Sequence, residues 1–217
     1  MARPRVHDHD HLLDVAEKLA VDVGPAAVTV RALSEATSVS NGAIYNAFGS
    51  RAGLVGRVWV RAARQFLALQ RNTVNEALAG GSSRDMAVDA VVAAADTPAL
   101  FLIEHPVSAR FLLTVRRDEL LGSSDIPADI AEELRTLDKT LGDLLIGLSR
   151  NLWDRVDRYA VAVIRDCVVE LPTALLLRGK QTADHQARER LAAAVRAVLT
   201  IDPPPAKPSR QLRKDVP

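Results

Sequence analysis

Residues 29–51, TVRALSEATSVSNGAIYNAFGSR, constrain the fold of this chain more than any other stretch. Thr29 and Ser40 each precede a short run with helical periodicity and can cap that run with a hydroxyl group. The apolar positions that recur at helical spacing are Val30, Leu33 and Ala36 in the first run and Ile44 and Phe48 in the second. The stretch therefore predicts two short helices joined by a tight turn at residues 38–40.

The second of these helices has a polar outer face. Asn41 and Tyr45 form one i, i+4 pair on that face, Gly42 and Asn46 form another, and none of the four is charged. A neutral, hydrogen-bonding face suits the DNA major groove, where side chains reach base edges and flanking cations lie near phosphates. An ordinary helical hairpin with a solvated outer face has the same periodicity, so this pattern alone leaves both interpretations open.

A longer pattern favours the DNA-binding interpretation. Residues 12–60 contain, in order, an LLDVAEKL opening helix, Gly24, the segment VTVRALSEA, the core IYNAF and the continuation SR-x-x-L. This segment resembles the DNA-binding domain of the TetR family of transcriptional regulators. The resemblance implies an all-α fold: an N-terminal three-helix DNA-binding domain with a helix-turn-helix, and a C-terminal helical domain for ligand binding and dimerisation.

The resemblance also implies a function. The chain is expected to bind double-stranded operator DNA as a homodimer without a cofactor, and we interpret it as a repressor that a small-molecule effector releases from a palindromic operator. The residues expected to face bases are Asn41, Gly42, Ala43 and Asn46, and those expected to hold the DNA backbone are Thr29, Arg31, Ser40, Tyr45 and Arg51. The alternative is a helical ligand- or protein-binding module of the same fold that does not bind DNA.

Three residues depart from the family pattern. Ser38 stands where the family usually has Gly, Ala47 replaces a frequent His, and Arg51 replaces a frequent Lys. If the turn requires a positive φ at position 38, Ser costs on the order of 1 kcal/mol there. The absence of the His removes one expected phosphate contact.

Composition narrows the class of protein. Apolar residues make up 48% of the chain and aromatic residues only 4%, so Ala, Val and Leu dominate, which favours packed helices over strands. The single cysteine, Cys167, excludes an internal disulfide, and its apolar neighbours predict a buried, inert thiol. The sequence contains no G-x-S-x-G elbow, H-E-x-x-H motif, Glu-x-x-His pair or P-loop, so we do not expect an enzyme.

Charge is distributed unevenly although the formal net charge is only +1. Residues 1–71 carry nine Lys or Arg against six Asp or Glu, whereas residues 72–200 carry fifteen against nineteen. A basic N-terminal end fits an approach to phosphate. No apolar run approaches the ~18 residues of a membrane span and no apolar segment follows Arg3 and Arg5, so we expect a cytoplasmic protein without a membrane partner.

Periodicity divides the chain into three parts. Residues 1–50 hold the N-terminal arm and the helix-turn-helix domain, residues 51–201 the effector-binding and dimerisation domain, and residues 202–217 a tail whose proline and charge content predicts disorder. After a long helix from residue 51 to about residue 79, helices are predicted at residues 84–95, 98–104, 106–121, 128–150, 154–178 and 183–199. Pro98 is expected to start a helix and Pro172 to bend one.

The first eleven residues allow several interpretations. Residues 1–6 are expected to be a flexible arm that either follows DNA or is a solubilising tail. Residues 7–11, HDHDH, suggest a metal site, because His7 and His11 would lie on one face of a helix. We favour a structural role, in which Asp8 or Asp10 caps the first helix, and assign no metal.

The helices of the larger domain supply candidate residues for a pocket and an interface. A pocket needs apolar walls and a few orienting polar groups. The candidates are Phe66, Met86, Phe101, Glu104, His105, Arg110, Phe111, Asp166, Cys167 and Glu170. The last two helices carry more apolar surface than a monomer easily buries, which predicts a four-helix dimer interface, with core helices of a larger monomer as the alternative. The expected interface residues are Ile164, Val168, Leu171, Leu175, Leu191, Val195 and Val198.

Overall fold

The computed structural model describes residues 6–81, 83–117, 126–178 and 184–206, and these residues form helices, turns and loops without a strand. The predicted all-α class is therefore confirmed. The arm at residues 1–5, most of the loop expected at residues 122–127 and the tail from residue 207 onward lie outside the described residues.

The N-terminal head consists of α1 (Val6–Asp22), a 3-10 turn (Pro25–Ala27), α2 (Val30–Thr37) and α3 (Asn41–Phe48). Both predicted caps are present: the Ala32 amide donates to Thr29 Oγ1 at 3.1 Å, and the Ala43 amide donates to Ser40 Oγ at 3.3 Å. The three helices share one apolar core, which includes Leu12, Ala16, Ala20, Leu33, Ile44 and Phe48.

The start of α1 differs from the prediction. The helix already begins at Val6, so Asp8 and Asp10 lie within it and neither is the residue that caps it. The HDHDH segment is therefore helical throughout.

The body follows a long connecting helix. Its elements are α4 (Arg51–Leu78), α5 (Arg84–Glu104), α6 (Pro106–Thr114), α7 (Ala128–Trp153), α8 (Arg158–Arg165) and α9 (His185–Val198). α4 packs along α5 and α7, and α5 also packs against α9. α6 ends earlier than predicted, and it lies against α1 of the head as well as α4 and α5.

Two glycines allow neighbouring elements to approach the start of α4 closely. A Cβ atom on Gly53 would clash with the carbonyl oxygen of Phe48, and one on Gly56 would lie 2.7 Å from Cγ2 of Ile130. The same end of α4 is capped by Ser50, whose Oγ accepts from the Gly53 amide at 2.9 Å. α4 therefore begins in close contact with both the head and α7.

α5 is one continuous helix, so the predicted start of a new helix at Pro98 is wrong. Proline has no N–H, which leaves the carbonyl group of Ala94 without its helical donor. The buried side chain of Gln70 on α4 supplies that donor, with Nε2 2.9 Å from Ala94 O. Packing of α4 against α5 thus sustains a helix that the sequence alone predicts to be interrupted.

The helix that begins as α8 changes its winding around Pro172. Two π-helical segments, Asp166–Glu170 and Thr173–Leu177, lie on either side of that residue. The Arg178 amide donates to Thr173 O at 2.9 Å, which is the i+5 bond of a wide turn. The disturbance expected at Pro172 takes the form of these wide turns.

α5 is the one described helix that is long and apolar enough to cross a membrane by length and composition. Here its apolar residues occupy the centre of the body core, where Ala90, Val91, Ala94 and Ala95 have no exposed surface. The apolar composition of α5 is therefore that of a helix at the centre of the core.

The segment at residues 202–206 is held against the body, contrary to the disorder expected from residue 202. Pro203 is buried, and Arg155 donates to Pro203 O at 3.1 Å and to Pro204 O at 2.7 Å. The same guanidinium pairs with Asp157 at 2.7 Å, and Asp157 caps α8 by accepting from the Tyr159 amide at 3.1 Å. The Arg155 hydrogen bond holds the pKa of Asp157 down, at about 2.

Candidate nucleic-acid interface

The outer face of α3 is exposed as predicted. Five residues, which we call the α3 ridge, point into solvent: Asn41, Gly42, Ala43, Tyr45 and Asn46. The Tyr45 side chain is large and apolar over most of its surface, yet it is 55% exposed. Ile44 and Phe48 point the opposite way, at 0% and 3% exposure. The short helix thus divides cleanly into a core face and a neutral polar face.

The turn before α3 has the backbone geometry that the family pattern suggests. Ser38 has φ 58° and ψ 19°, which is the left-handed region. The Thr37 hydroxyl donates to Leu33 O at 2.7 Å, and its oxygen lies 3.4 Å from the Val39 amide. A serine therefore occupies a position that favours glycine, which meets the condition for the strain expected there.

The two arginines expected near phosphates are already engaged within the head. Arg51 donates from Nε to Val28 O at 2.7 Å and from Nη2 to Pro25 O, so it ties the start of α4 to the turn before α2. Arg31 pairs with Glu35 at 2.8 Å on the surface, and this hydrogen bond raises the pKa of Arg31. Both arginines are exposed residues, but their guanidinium groups have intramolecular partners.

The histidine cluster beside the head is only partly described. The His9 ring lies 5.8 Å from the Phe48 ring, so this imidazole packs on the α3 end of the core. Among the side chains that the structure covers, no three His, Cys, Asp or Glu residues are grouped to hold a metal ion.

Sequence comparison adds a further observation to this geometry. Residues 12–58 match the family model described as bacterial regulatory proteins, tetR family. The N-terminal domain is therefore a TetR-type domain. This domain is that of a DNA-binding transcriptional regulator. No curated protein sequence matches the chain.

Solved structures resemble the chain along most of its length. A TetR family transcriptional regulator, PfmR from Thermus thermophilus, has 18% identity and a TM-score of 0.62, covering 88% of this chain and 98% of its own. A tetR-family regulatory protein from Rhodococcus RHA1 has 14% identity and a TM-score of 0.62, covering 88% and 95%. The superantigen PfiT has 18% identity and a TM-score of 0.62, covering 88% and 97%. At these identities the likeness establishes the fold alone.

The body contains a small apolar cavity next to α6. Its volume is about 150 Å³, and we call it the α6 cavity. The lining residues come from α4, α5, α6 and the last wide turn after α8: Phe66, Pro98, Phe101, Leu102, Ala109, Leu112, Leu113 and Leu177. Phe66 and Phe101 meet edge to face there, with ring centroids 5.6 Å apart.

The predicted pocket residues do not converge. Phe66 and Phe101 line the α6 cavity, and His105 stacks on Phe101 at 5.2 Å. Phe111 is buried in the head core, Cys167 is buried in the body core, and Met86 packs near Gly80 at the far end of α4. Four predicted polar residues are exposed and do not line the cavity: Glu104, Arg110, Asp166 and Glu170.

The thiol of Cys167 is inert, as the sequence analysis expected. The side chain has no exposed surface, and this burial raises its pKa to about 12.

Most of the residues predicted for the dimer interface belong to the core of the single chain. Ile164, Val168, Leu191 and Val195 are at most 3% exposed and pack against α5 and its neighbours, so they cannot face a partner. Leu171 and Val198 are half-buried, and Leu175 is 39% exposed. The apolar stripes of the last two helices thus cover α5, as the alternative of core helices proposed.

Of the described residues that line the cavity, only Phe66 and Phe101 were predicted from the sequence. Leu112, Leu113 and Ala109 follow one another at helical spacing on α6, but the same spacing on Phe111 and Val115 faces the head core. The sequence offers no signal that separates these two faces, because both are apolar.

Proposed function

We propose that this protein is a homodimeric, ligand-responsive repressor that reads a palindromic operator with the α3 ridge. The observation that carries the proposal is the exposure of five neutral residues on a capped helix whose opposite face is fully buried. A rigid helix with such a face fits the major groove, because its polar groups reach base edges without burying an unpaired charge.

Each ridge residue has a chemical role in this proposal. The Asn41 and Asn46 amides can each pair with adenine, and the Tyr45 phenol can donate to a phosphate. A Cβ atom at Gly42 would meet no described atom within 4 Å apart from its chain neighbours and the nearby backbone of α3, so Gly42 leaves room for a base edge to approach the backbone. The Thr29 and Ser40 oxygens accept from cap amides, which leaves their hydroxyl protons available for phosphate oxygens.

The position of α6 supports a response to a ligand, because the helix contacts both the head core and the α6 cavity. Phe111 and Val115 lie in the core that α6 shares with α1 and α3, while Leu112 and Leu113 border the α6 cavity. Trp59 on α4 also donates from Nε1 to Val115 O at 3.1 Å. A molecule that displaces α6 therefore moves the head relative to α4, and two heads with altered spacing cannot engage both half-sites.

The proposed dimer uses the outer faces of α8 and α9 rather than their buried stripes. The exposed positions on α8 and its extension include Ala162, Asp166, Glu170 and Leu175, and those on α9 include Arg190, Ala193 and Ala197. Acidic residues on one helix and an arginine on the other permit complementary pairing around a two-fold axis. The mass of the protein in solution, by light scattering, tests this dimer.

Asn41→Ala tests the DNA-reading role. We expect a loss of about 1–3 kcal/mol on the preferred site and relaxed preference at one base position, because one bidentate pair is removed. The measurement is a gel shift with DNA from upstream of the protein's own gene, followed by binding to a library of single-base variants. Lys18→Ala, at an exposed position on α1, is the control and should leave base preference unchanged.

A binding module that does not use DNA is the second candidate, and one observation favours it. Arg31 and Arg51 already have partners within the head, so the α3 ridge has fewer free cations beside it than expected. The likeness to the superantigen PfiT also indicates that this fold is not confined to proteins called regulators. Salt-sensitive, competitor-resistant retardation of upstream DNA supports the repressor, and no retardation at any salt concentration supports the module.

A further inference from the structure

The α6 cavity restricts the chemistry of the molecule that the proposed repressor would sense. Resting on that proposed function, we infer that the effector is a small, uncharged, apolar molecule of about the size of a single aromatic ring.

The walls are apolar at every lining residue that the structure describes. Each lining residue is Phe, Leu, Pro or Ala, and the two aromatic rings meet edge to face. Apolar walls bind a ligand through burial of apolar surface and close packing, and an aromatic ring adds favourable contacts with the Phe66 and Phe101 edges.

The described polar residues near the cavity do not line it. Gln70, one turn beyond Phe66, donates its amide to Ala94 O, and the Thr97 hydroxyl donates to Ala93 O at 2.9 Å. The charged residues Glu104 and Arg110 are exposed and do not line the cavity. A carboxylate or ammonium group placed inside would lose its hydration without gaining a partner among the described lining residues, so we expect charged ligands to be excluded.

The volume sets the size of the ligand. Sites for drug-sized molecules measure roughly 300–1,000 Å³, whereas an apolar cavity of roughly 150 Å³ is known to take benzene. The α6 cavity, at about 150 Å³, belongs to the smaller class. Its lining leucines are only half-buried, so the cavity has a route to solvent.

Toluene and benzoate form the matched pair of probes. They share the aromatic ring and differ in that benzoate carries a charge. We expect toluene to raise the thermal midpoint of the full-length protein and to change the emission of Trp59, with Trp153→Phe as the background that leaves Trp59 as the reporter. Benzoate should need at least a hundredfold higher concentration for the same effects.

Two variants localise the binding. Ala109→Leu fills the cavity from α6 and should weaken toluene binding at least tenfold, whereas Ala128→Leu makes the same substitution at an exposed position at the start of α7 and should not. Leu113→Ala enlarges the cavity and should improve the binding of butylbenzene relative to toluene. Because this variant gains a ligand, its result does not depend on whether Ala109→Leu folds.

The outcomes separate this inference from the proposed function. Toluene binding that Ala109→Leu weakens, together with at least tenfold weaker operator binding in the presence of toluene, supports the inference. A protein that retards its operator but does not respond to toluene, or that prefers benzoate, overturns the inference and leaves the repressor intact. A protein that takes up toluene but never retards DNA overturns the repressor.

Discussion

At the scale of single residues, Ser38 is the position where the helix-turn-helix departs furthest from relaxed geometry. Its φ of 58° places the Cβ atom close to the following carbonyl group, a conformation that glycine adopts freely. The serine is exposed, so the strain is not offset by burial of its side chain.

Ser38→Gly should therefore raise the free energy of unfolding by about 1 kcal/mol, since it removes the strain at a positive φ. Chemical denaturation measures the change. Ser34→Gly, in the interior of α2, is the matched control and should lower stability by about 0.5 kcal/mol, because glycine is unfavourable within a helix. Equal effects of the two substitutions on stability would contradict the strain that we attribute to the positive φ of Ser38.

Arg51 also has a structural role at this scale, because its guanidinium donates hydrogen bonds to two carbonyl groups of the head. Arg51→Lys keeps the charge but cannot reach both acceptors, so we expect stability to fall by about 1 kcal/mol. Arg31→Lys, in a solvent-exposed pair, should leave the unfolding midpoint nearly unchanged. If Arg51→Lys also leaves that midpoint unchanged, Arg51 acts on DNA phosphate alone, as the sequence analysis predicted.

At the scale of elements, α5 shows how packing overrides a local signal. The sequence indicates a break at Pro98, and the structure continues the helix because Gln70 donates to the carbonyl group that proline leaves free. The limits of the other helices follow local signals more closely. Thr29, Ser40 and Ser50 cap α2, α3 and α4, and α7 begins at the predicted residue.

A double-mutant cycle tests the Gln70 contact. Gln70→Met should cost about 1–3 kcal/mol, since it leaves the buried Ala94 carbonyl without a donor. In a Pro98→Ala background the new amide at position 98 can donate to Ala94 O, so the same substitution should cost at least about 1 kcal/mol less. Unfolding curves of the parent, the two single variants and the double variant give the coupling free energy between positions 70 and 98. Additive effects would show that Gln70 does not replace the amide that Pro98 lacks.

At the scale of the whole molecule, long-range contacts join parts that the sequence separates. One arginine joins α4 to the head, since Arg61 pairs with Glu17 of α1 at 3.0 Å. Two others join α4 to α7: Arg57 pairs with Asp129 at 2.8 Å and Arg64 with Glu133 at 2.9 Å. At the other end, Arg155 and Asp157 hold the C-terminal segment against the start of α8.

The Asp157 contact makes stability depend on pH in a defined range. Its pKa in the folded protein is about 2, below the usual 3.8, so the pair contributes stability that is present above about pH 4 and lost as pH falls through 2. Asp157→Asn should therefore have a flatter decline of thermal midpoint between pH 4 and 2 than the parent. Asp143→Asn, at an exposed position on α7, should decline as steeply as the parent.

The sequence by itself determined the helical class, the caps of the head helices and the two faces of α3, because these depend on residues within a few positions of one another. It did not determine what each apolar stripe covers. Ile164, Val168, Leu191 and Val195 have the periodicity of an interface, but α5 lies against them. The α6 cavity is likewise a gap between side chains up to 111 positions apart, from Phe66 to Leu177, so only tertiary packing could define it. Periodicity reports that a face is apolar, whereas the partner of that face is decided by which helices the chain brings together.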